Sequence, residues 1–313
     1  MSTAPFCWHP HTLRDQAAEW VIDLQDTLRA APKIMTDMEA DLPSNAEGRW
    51  RHYDKVRWQD ELNPLVQRIK SLVLDQTGIA VLKCGSELTS DQARLIQLLL
   101  GCQFGVNITK TAEGDDRPLF AMGVKEDPTA EGRYLGNALK RKQIGFHTDG
   151  SGTSDRDVVL LSMLCIRPAR FGGQSRISNS HLAFESLPEV AQTILQKPVP
   201  RQNPYAPELD VSSLRSVPIF QAVEAGQGYR SFSYHPDRIR DGVKQALGRV
   251  PLEVEAAFLL LEEALEAFSC DINLVGNEIL FINNHVIAHD RRAFWNDPRA
   301  PRLLERFWAG IQF

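Results

Sequence analysis

Apolar positions recur at spacings of three and four in several windows, the pattern of helices with one buried side. Leu13, Ala17, Trp20, Val21, Leu24 and Leu28 predict an amphipathic helix over 11–30. A second is expected over 63–76, with Pro64 in its first turn and Gly78 just past its end. Its apolar side would carry Leu65, Ile69 and Leu72 or Val73. Ser90-Asp91 would cap a third, bearing Ala93, Ile96, Leu99 and Leu100. A helix near 181–196 follows, and the clearest covers 251–268, where Val254, Ala257, Phe258, Leu261, Leu265 and Phe268 oppose a glutamate face.

Strand signals lie between these helices. Residues 79–82 form a short apolar run after a glycine, and 158–166 are nearly continuous Val, Leu, Met and Ile, as in a strand buried on both faces. Residues 176–178, 229–234, 278–282 and 302–311 predict further strands. The stretch 32–48 reads as a connector, 102–146 as loops with short strands, and 197–217 as an extended loop. Regular βαβ alternation is missing. The pattern predicts a mostly β (α+β) single domain over 1–313, with a jelly-roll core at 78–313 and an N-terminal helical extension at 1–77.

Composition narrows the classes. With 43% hydrophobic and 24% charged residues, the 313-residue chain has enough apolar material for one large core. A net charge of −5 gives no reason to expect nucleic acid or an anionic membrane as partner. Five scattered cysteines with no Cys-x-x-Cys spacing suggest neither a disulfide framework nor a zinc ribbon. No run of 18 apolar residues occurs, and the N-terminus has no basic region followed by an apolar one, so a cytoplasmic protein is expected. Oligomeric state is left open.

Candidate chemistry begins at His147-Thr148-Asp149. On an extended backbone, alternate residues point the same way, so one imidazole and one carboxylate can converge on an ion. His289 follows after 289 − 147 = 142 residues, room for most of a barrel. Two histidines and one carboxylate on one octahedral face leave three positions open, the arrangement of non-haem iron(II) oxygenases. The pair alone is weak, since His235-Pro236-Asp237 repeats the spacing. The C-terminal strand adds weight by placing Arg302, Leu304, Arg306 and Trp308 on one face. Two arginines aimed into a barrel need an anion, and a dicarboxylate co-substrate would supply one. A short helix with exposed arginines around Glu305 is the alternative. A zinc hydrolase would use the same triad but leave Arg302, Arg306 and Ser175 without a task, and a non-catalytic jelly-roll binding protein is a third reading.

Four blocks in order resemble the taurine dioxygenase-like (TauD/TfdA) family of 2-oxoglutarate oxygenases, which includes clavaminate synthase. They are Phe146-His147-Thr148-Asp149-Gly150, then Gly172-Gly173-Gln174-Ser175 after the buried strand, then Asn284 with His289 and Arg291, and finally Arg302 with Arg306. The likeness spans about 78–313. It implies a double-stranded β-helix, with His147, Asp149 and His289 holding Fe(II). It also implies that Arg302 grips the distal carboxylate of 2-oxoglutarate, with Ser175 donating nearby and Arg306 near the carboxylate beside the keto group. The implied reaction consumes 2-oxoglutarate and O2, releases succinate and carbon dioxide, and hydroxylates a small molecule such as an amino acid or natural-product intermediate. Two positions depart from the family pattern, Gly276-Asn277 where Gly-Asp is common and Asp290 where glycine is usual. Arg230, Tyr234 and His235 are candidates to face substrate, with a surface role as the alternative.

Overall fold

The run of apolar residues from Val158 to Ile166 becomes the middle of the main sheet, which explains why it has no polar face. The protein is described by a computed structural model covering residues 6, 8–30, 33–34, 59–107, 119–123, 143–151, 157–203, 211–222 and 230–311. Most of the expected connector over 32–48, much of the segment 102–146, the middle of the loop 197–217 and Tyr229 fall outside those residues.

Strand Asp157–Arg167 pairs antiparallel with Glu278–Asn283 on one side and Leu303–Ile311 on the other. The sheet continues through Ile79–Lys83 to Val21–Asp23 at one edge. At the other edge, Val106–Asn107 and Phe120–Gly123 both pair with Leu303–Ile311. A second sheet holds three antiparallel strands in the order Ser269–Ile272, Ser175–Asn179, Ile287–Arg291. Ile177 and Ile287 from this sheet join the same core as Leu161, Leu280 and Phe307 of the first. Two sheets closing on one apolar interior make the expected jelly roll, the double-stranded β-helix. A second core of Phe184, Phe220, Phe232, Tyr234 and Phe258 lies under helix Leu252–Ala267.

Several expectations shift. The predicted helix over 11–30 is broken into Pro10–Asp15, Ala17–Trp20 and Leu24–Ala30 by the edge strand Val21–Asp23. Trp20, Ile22 and Leu24 are all buried, so an alternating pattern was concealed inside the helical one. The main sheet and its core therefore draw on the N-terminal segment as well as on 78–313. Pro64 lies inside helix Gln59–Lys70 rather than in its first turn; it forfeits only the early bond to the residue-60 carbonyl. Thr89 caps helix Ser90–Gly101, and Gln92 returns a bond to the Thr89 N–H, one residue before the expected cap. The loop 197–217 contains the paired strands Val199–Arg201 and Arg215–Val217. Helix Pro236–Leu247 was not expected, although Pro236 at its first turn and Gly248 at its left-handed end are ordinary boundary residues.

Candidate metal centre

Register brings the two histidines together. His147 and His289 are cross-strand partners, each donating its backbone N–H to the other's carbonyl at 2.9 Å. Opposed residues point to the same face of a sheet, so both imidazoles enter the barrel, with ring centroids 4.4 Å apart. Asp149 Oδ1 lies 3.8 Å from Nε2 of His147 and 3.8 Å from Nε2 of His289. These separations are too long for hydrogen bonds. The three donor atoms surround a common point, all within 4.8 Å of one another, instead of satisfying each other.

Two of the three donors, His147 and Asp149, are braced from behind by hydrogen bonds. His147 Nδ1 lies 2.9 Å from the Gly145 carbonyl, which selects the Nδ1–H tautomer and leaves the Nε2 lone pair facing inward. Burial first, then the neighbouring His289, push the His147 pKa down to about 4, so its imidazole is neutral at pH 7. Burial, the largest single influence, opposes ionisation of Asp149, but the Arg306 charge and the two histidines together outweigh it. The carboxyl is held well below the usual carboxylate range. Arg306 Nη1 and Trp308 Nε1 donate to Asp149 Oδ2 at 3.2 and 2.8 Å, leaving Oδ1 for the centre. Asn284 accepts from the Asp149 N–H and donates to the Asp149 and Val158 carbonyls, each at 2.9 Å. Two imidazoles and one ionised carboxylate converging on one point fit a divalent first-row metal.

The inner face of strand Leu303–Ile311 leads away from this centre. Arg306 and Trp308 touch Asp149, while Glu305 on the opposite face pairs with Arg94 of helix Ser90–Gly101. Leu304 and Arg302 line a cavity together with Ser175, Gly172 and Gly173. Arg302 itself precedes the strand, its N–H held by Asn296 Oδ1 at 2.7 Å. Its guanidinium is buried, and its one bond to a described acceptor is a 3.4 Å contact with the Gly173 carbonyl. Burial first, then the nearby Arg291, push its pKa down to about 10. The two glycines are required here. Both have φ of +72°, and a Cβ on Gly172 would lie 2.2 Å from the Ala293 carbonyl oxygen.

Not every candidate reaches the centre. Tyr234 is fully buried in the second core, with its hydroxyl donated to Glu262 at 2.7 Å. It meets the metal loop through its backbone, accepting from the Thr148 N–H at 2.7 Å. Arg230 lies over the Phe184 ring and donates to Gln196, with no described contact to the triad. His235 is not a surface residue: it is buried with its ring centroid 5.5 Å from that of His147. Among the described residues, the group able to hold a metal is His147, Asp149 and His289, without His235 or Asp237. Asn284 was legible as a motif member and Trp308 as a residue on the inner face of the last strand, but their grip on Asp149 depends on folding.

Comparison with known proteins agrees with this geometry. A uridine-5'-phosphate dioxygenase from Streptomyces sp is 28% identical over 198 residues, covering 62% of this chain and 64% of that protein. The matched stretches span 44–64% of the lengths of the curated relatives. A crystal structure of an asparagine oxygenase with Fe(II), 2S,3S-3-hydroxyasparagine and succinate superimposes with a TM-score of 0.72 at 14% identity, covering 93% of each chain. The non-heme iron oxygenase OrfP in complex with Fe and alpha-ketoglutaric acid gives 0.67 at 14% identity, over 92% of this chain and 93% of that one. Residue identities this low speak for the fold. Residues 40–308 match the taurine catabolism dioxygenase TauD, TfdA family, and the chain belongs to it.

Proposed function

We propose that this protein is a non-haem Fe(II)- and 2-oxoglutarate-dependent oxygenase acting on a small molecule. The observation that carries the reading is a two-histidine, one-carboxylate triad joined along one barrel face to a buried arginine that has no described carboxylate partner. His147, Asp149 and His289 would hold the iron. When bound, iron(II) with 2-oxoglutarate supplies the activation of O2 that yields succinate, carbon dioxide and an oxidised substrate.

The rest is done by the chain. Arg302 would grip the distal carboxylate of 2-oxoglutarate, with Ser175 donating its hydroxyl inside the same cavity. Arg306 holds Asp149 Oδ2 and faces inward, where its charge would also meet the carboxylate beside the keto group. Leu304 between them keeps that stretch apolar and excludes water. A zinc hydrolase would leave this buried guanidinium unexplained. The names of the similar proteins support a substrate bearing an amino acid or a phosphate group. Arg230 and Tyr234 enter this reading as supports of the surrounding core. A cytoplasmic location accompanies it, supported by buried thiols at Cys84, Cys165 and Cys270 that form no disulfide. No described helix is long and apolar enough to cross a membrane.

The test is succinate formation by Fe(II)-loaded protein with 2-oxoglutarate and O2, across a panel of amino acids and nucleotides. His147→Ala and His289→Ala proteins, shown folded by circular dichroism, should lose both bound iron and succinate. Full iron occupancy in either variant overturns the ligand assignment. No succinate from the wild type under any condition overturns the activity.

A further inference from the structure

Strand Ile287–Arg291 has a back as well as a front. His289 faces the barrel interior, so its neighbour Asp290 faces the opposite way, directly across from Arg176 on the adjacent strand. Both side chains are buried, at 0% and 1% exposure, and Arg176 Nη1 donates to Asp290 Oδ2 at 3.2 Å. Arg176 is itself fixed by Glu266 at 2.5 Å and by Asp271 at 3.5 Å. Asp290 Oδ2 also accepts from Gln143 Nε2 at 2.8 Å. Its Oδ1 takes the backbone N–H groups of Ile144 at 3.3 Å and Gly145 at 3.0 Å.

The peptide chain returns from these contacts to the metal. Gly145 gives its N–H to Asp290 and receives Nδ1–H of His147 on its carbonyl, a conformation with φ of +89° that suits glycine. Arg176 also lies 4.7 Å from the Phe146 ring centroid, so one guanidinium grips the segment through both Asp290 and Phe146. Metal-binding histidines commonly pass their second N–H to a carboxylate, which sets ring orientation and raises basicity. Here a glycine residue stands between imidazole and carboxylate, and aligned hydrogen bonds polarise one another along such a chain.

We propose that Asp290 is a positioning residue, which, held by Arg176, fixes His147 Nε2 at the metal through the Gly145 backbone. This rests on the metal reading above, and the experiment separates the two. Apoprotein is titrated anaerobically with Co(II), followed by its visible d–d absorption, for the wild type, Asp290→Ala and Asp290→Asn. Binding by the wild type but not by His147→Ala upholds the ligand assignment; failure of the wild type to bind sinks that reading first. Asp290→Ala, folded by circular dichroism at the titration temperature, should bind Co(II) about 10–100-fold more weakly with an altered band. Asp290→Asn, whose amide oxygen still reaches both N–H groups but whose NH2 group faces the Arg176 donor, should recover part of that affinity. If Asp290→Ala does not fold, Asp290→Ser, one atom too short to reach them, takes its place with the same expectation. Wild-type affinity in the folded Ala or Ser variant overturns the proposal, as does an Asn variant that loses as much as the Ala variant.

Discussion

Replacing Arg302 by methionine should move stability and co-substrate binding in opposite directions. The guanidinium is buried with one long bond to a carbonyl, and a pKa of about 10 in place of 12.5 disfavours its charged form by about 3 kcal/mol. Methionine fills similar volume without charge, so the protein without 2-oxoglutarate should melt at the same temperature or higher. Binding should suffer. A desolvated charged hydrogen-bond pair that loses one partner costs about 2–5 kcal/mol, which is roughly 30- to several-thousand-fold in 2-oxoglutarate affinity. Calorimetric titration of metal-loaded protein under nitrogen reads the dissociation constant, and differential scanning calorimetry of the same preparation reads the melting temperature. Metal affinity should stay near the wild-type value, because Arg302 touches none of the three donors. A variant that melts several degrees lower and binds 2-oxoglutarate as before would refute the reasoning, and Arg306 would be the next arginine to test.

Other outcomes follow from the same contacts. Co(II) at a hundred times its dissociation constant should stabilise the wild type by about 2.7 kcal/mol against urea, and His289→Ala should show no such gain. Asn284→Ala removes three hydrogen bonds around Asp149 and Val158, and should cost about 1–3 kcal/mol in urea unfolding together with weakened Co(II) binding. Arg94→Ala strands the Glu305 carboxylate, which it holds at 2.6 and 2.7 Å. It should cost about 2–3 kcal/mol by the same assay and leave Co(II) affinity unchanged, since the pair lies on the outer face. The double variant His235→Ala, Asp237→Ala should keep one metal per chain; loss of metal there, with retention in His147→Ala, would move the site to the other His-x-Asp.

Local chemistry made much of this molecule legible in the chain itself. The apolar run from Val158 to Ile166 could be satisfied only between two other strands, and the i, i+3, i+4 stripe ending at Phe268 could only be helical. The triad was readable because His147 and Asp149 keep their relation through the two-residue period, and because the arginines recur in step with the inner face of the last strand. Where two periods coexist, local sequence does not decide. Residues 17–24 satisfy a helix with Ala17, Trp20, Val21 and Leu24, and a strand with Trp20, Ile22 and Leu24. The open edge of Ile79–Lys83 chose the strand for Val21–Asp23, because pairing there satisfies backbone groups along the edge that a helix would leave unpaired.

Tertiary structure alone also decided what stands behind the metal. His147 and His289 are 142 residues apart in sequence and face each other only because the chain closes into a barrel with this register. His235, read as a residue that could lie on the surface, is buried beside His147 because helix Pro236–Leu247 begins against the metal loop. Asp290 stood out only as an unusual residue between two motif positions, and its partners Arg176, Gln143 and Gly145 lie more than 110 residues away in the chain. Period and spacing express what a residue prefers within a few neighbours. Burying a charged pair behind a sheet depends on long-range partners, and those exist only once the strands have met.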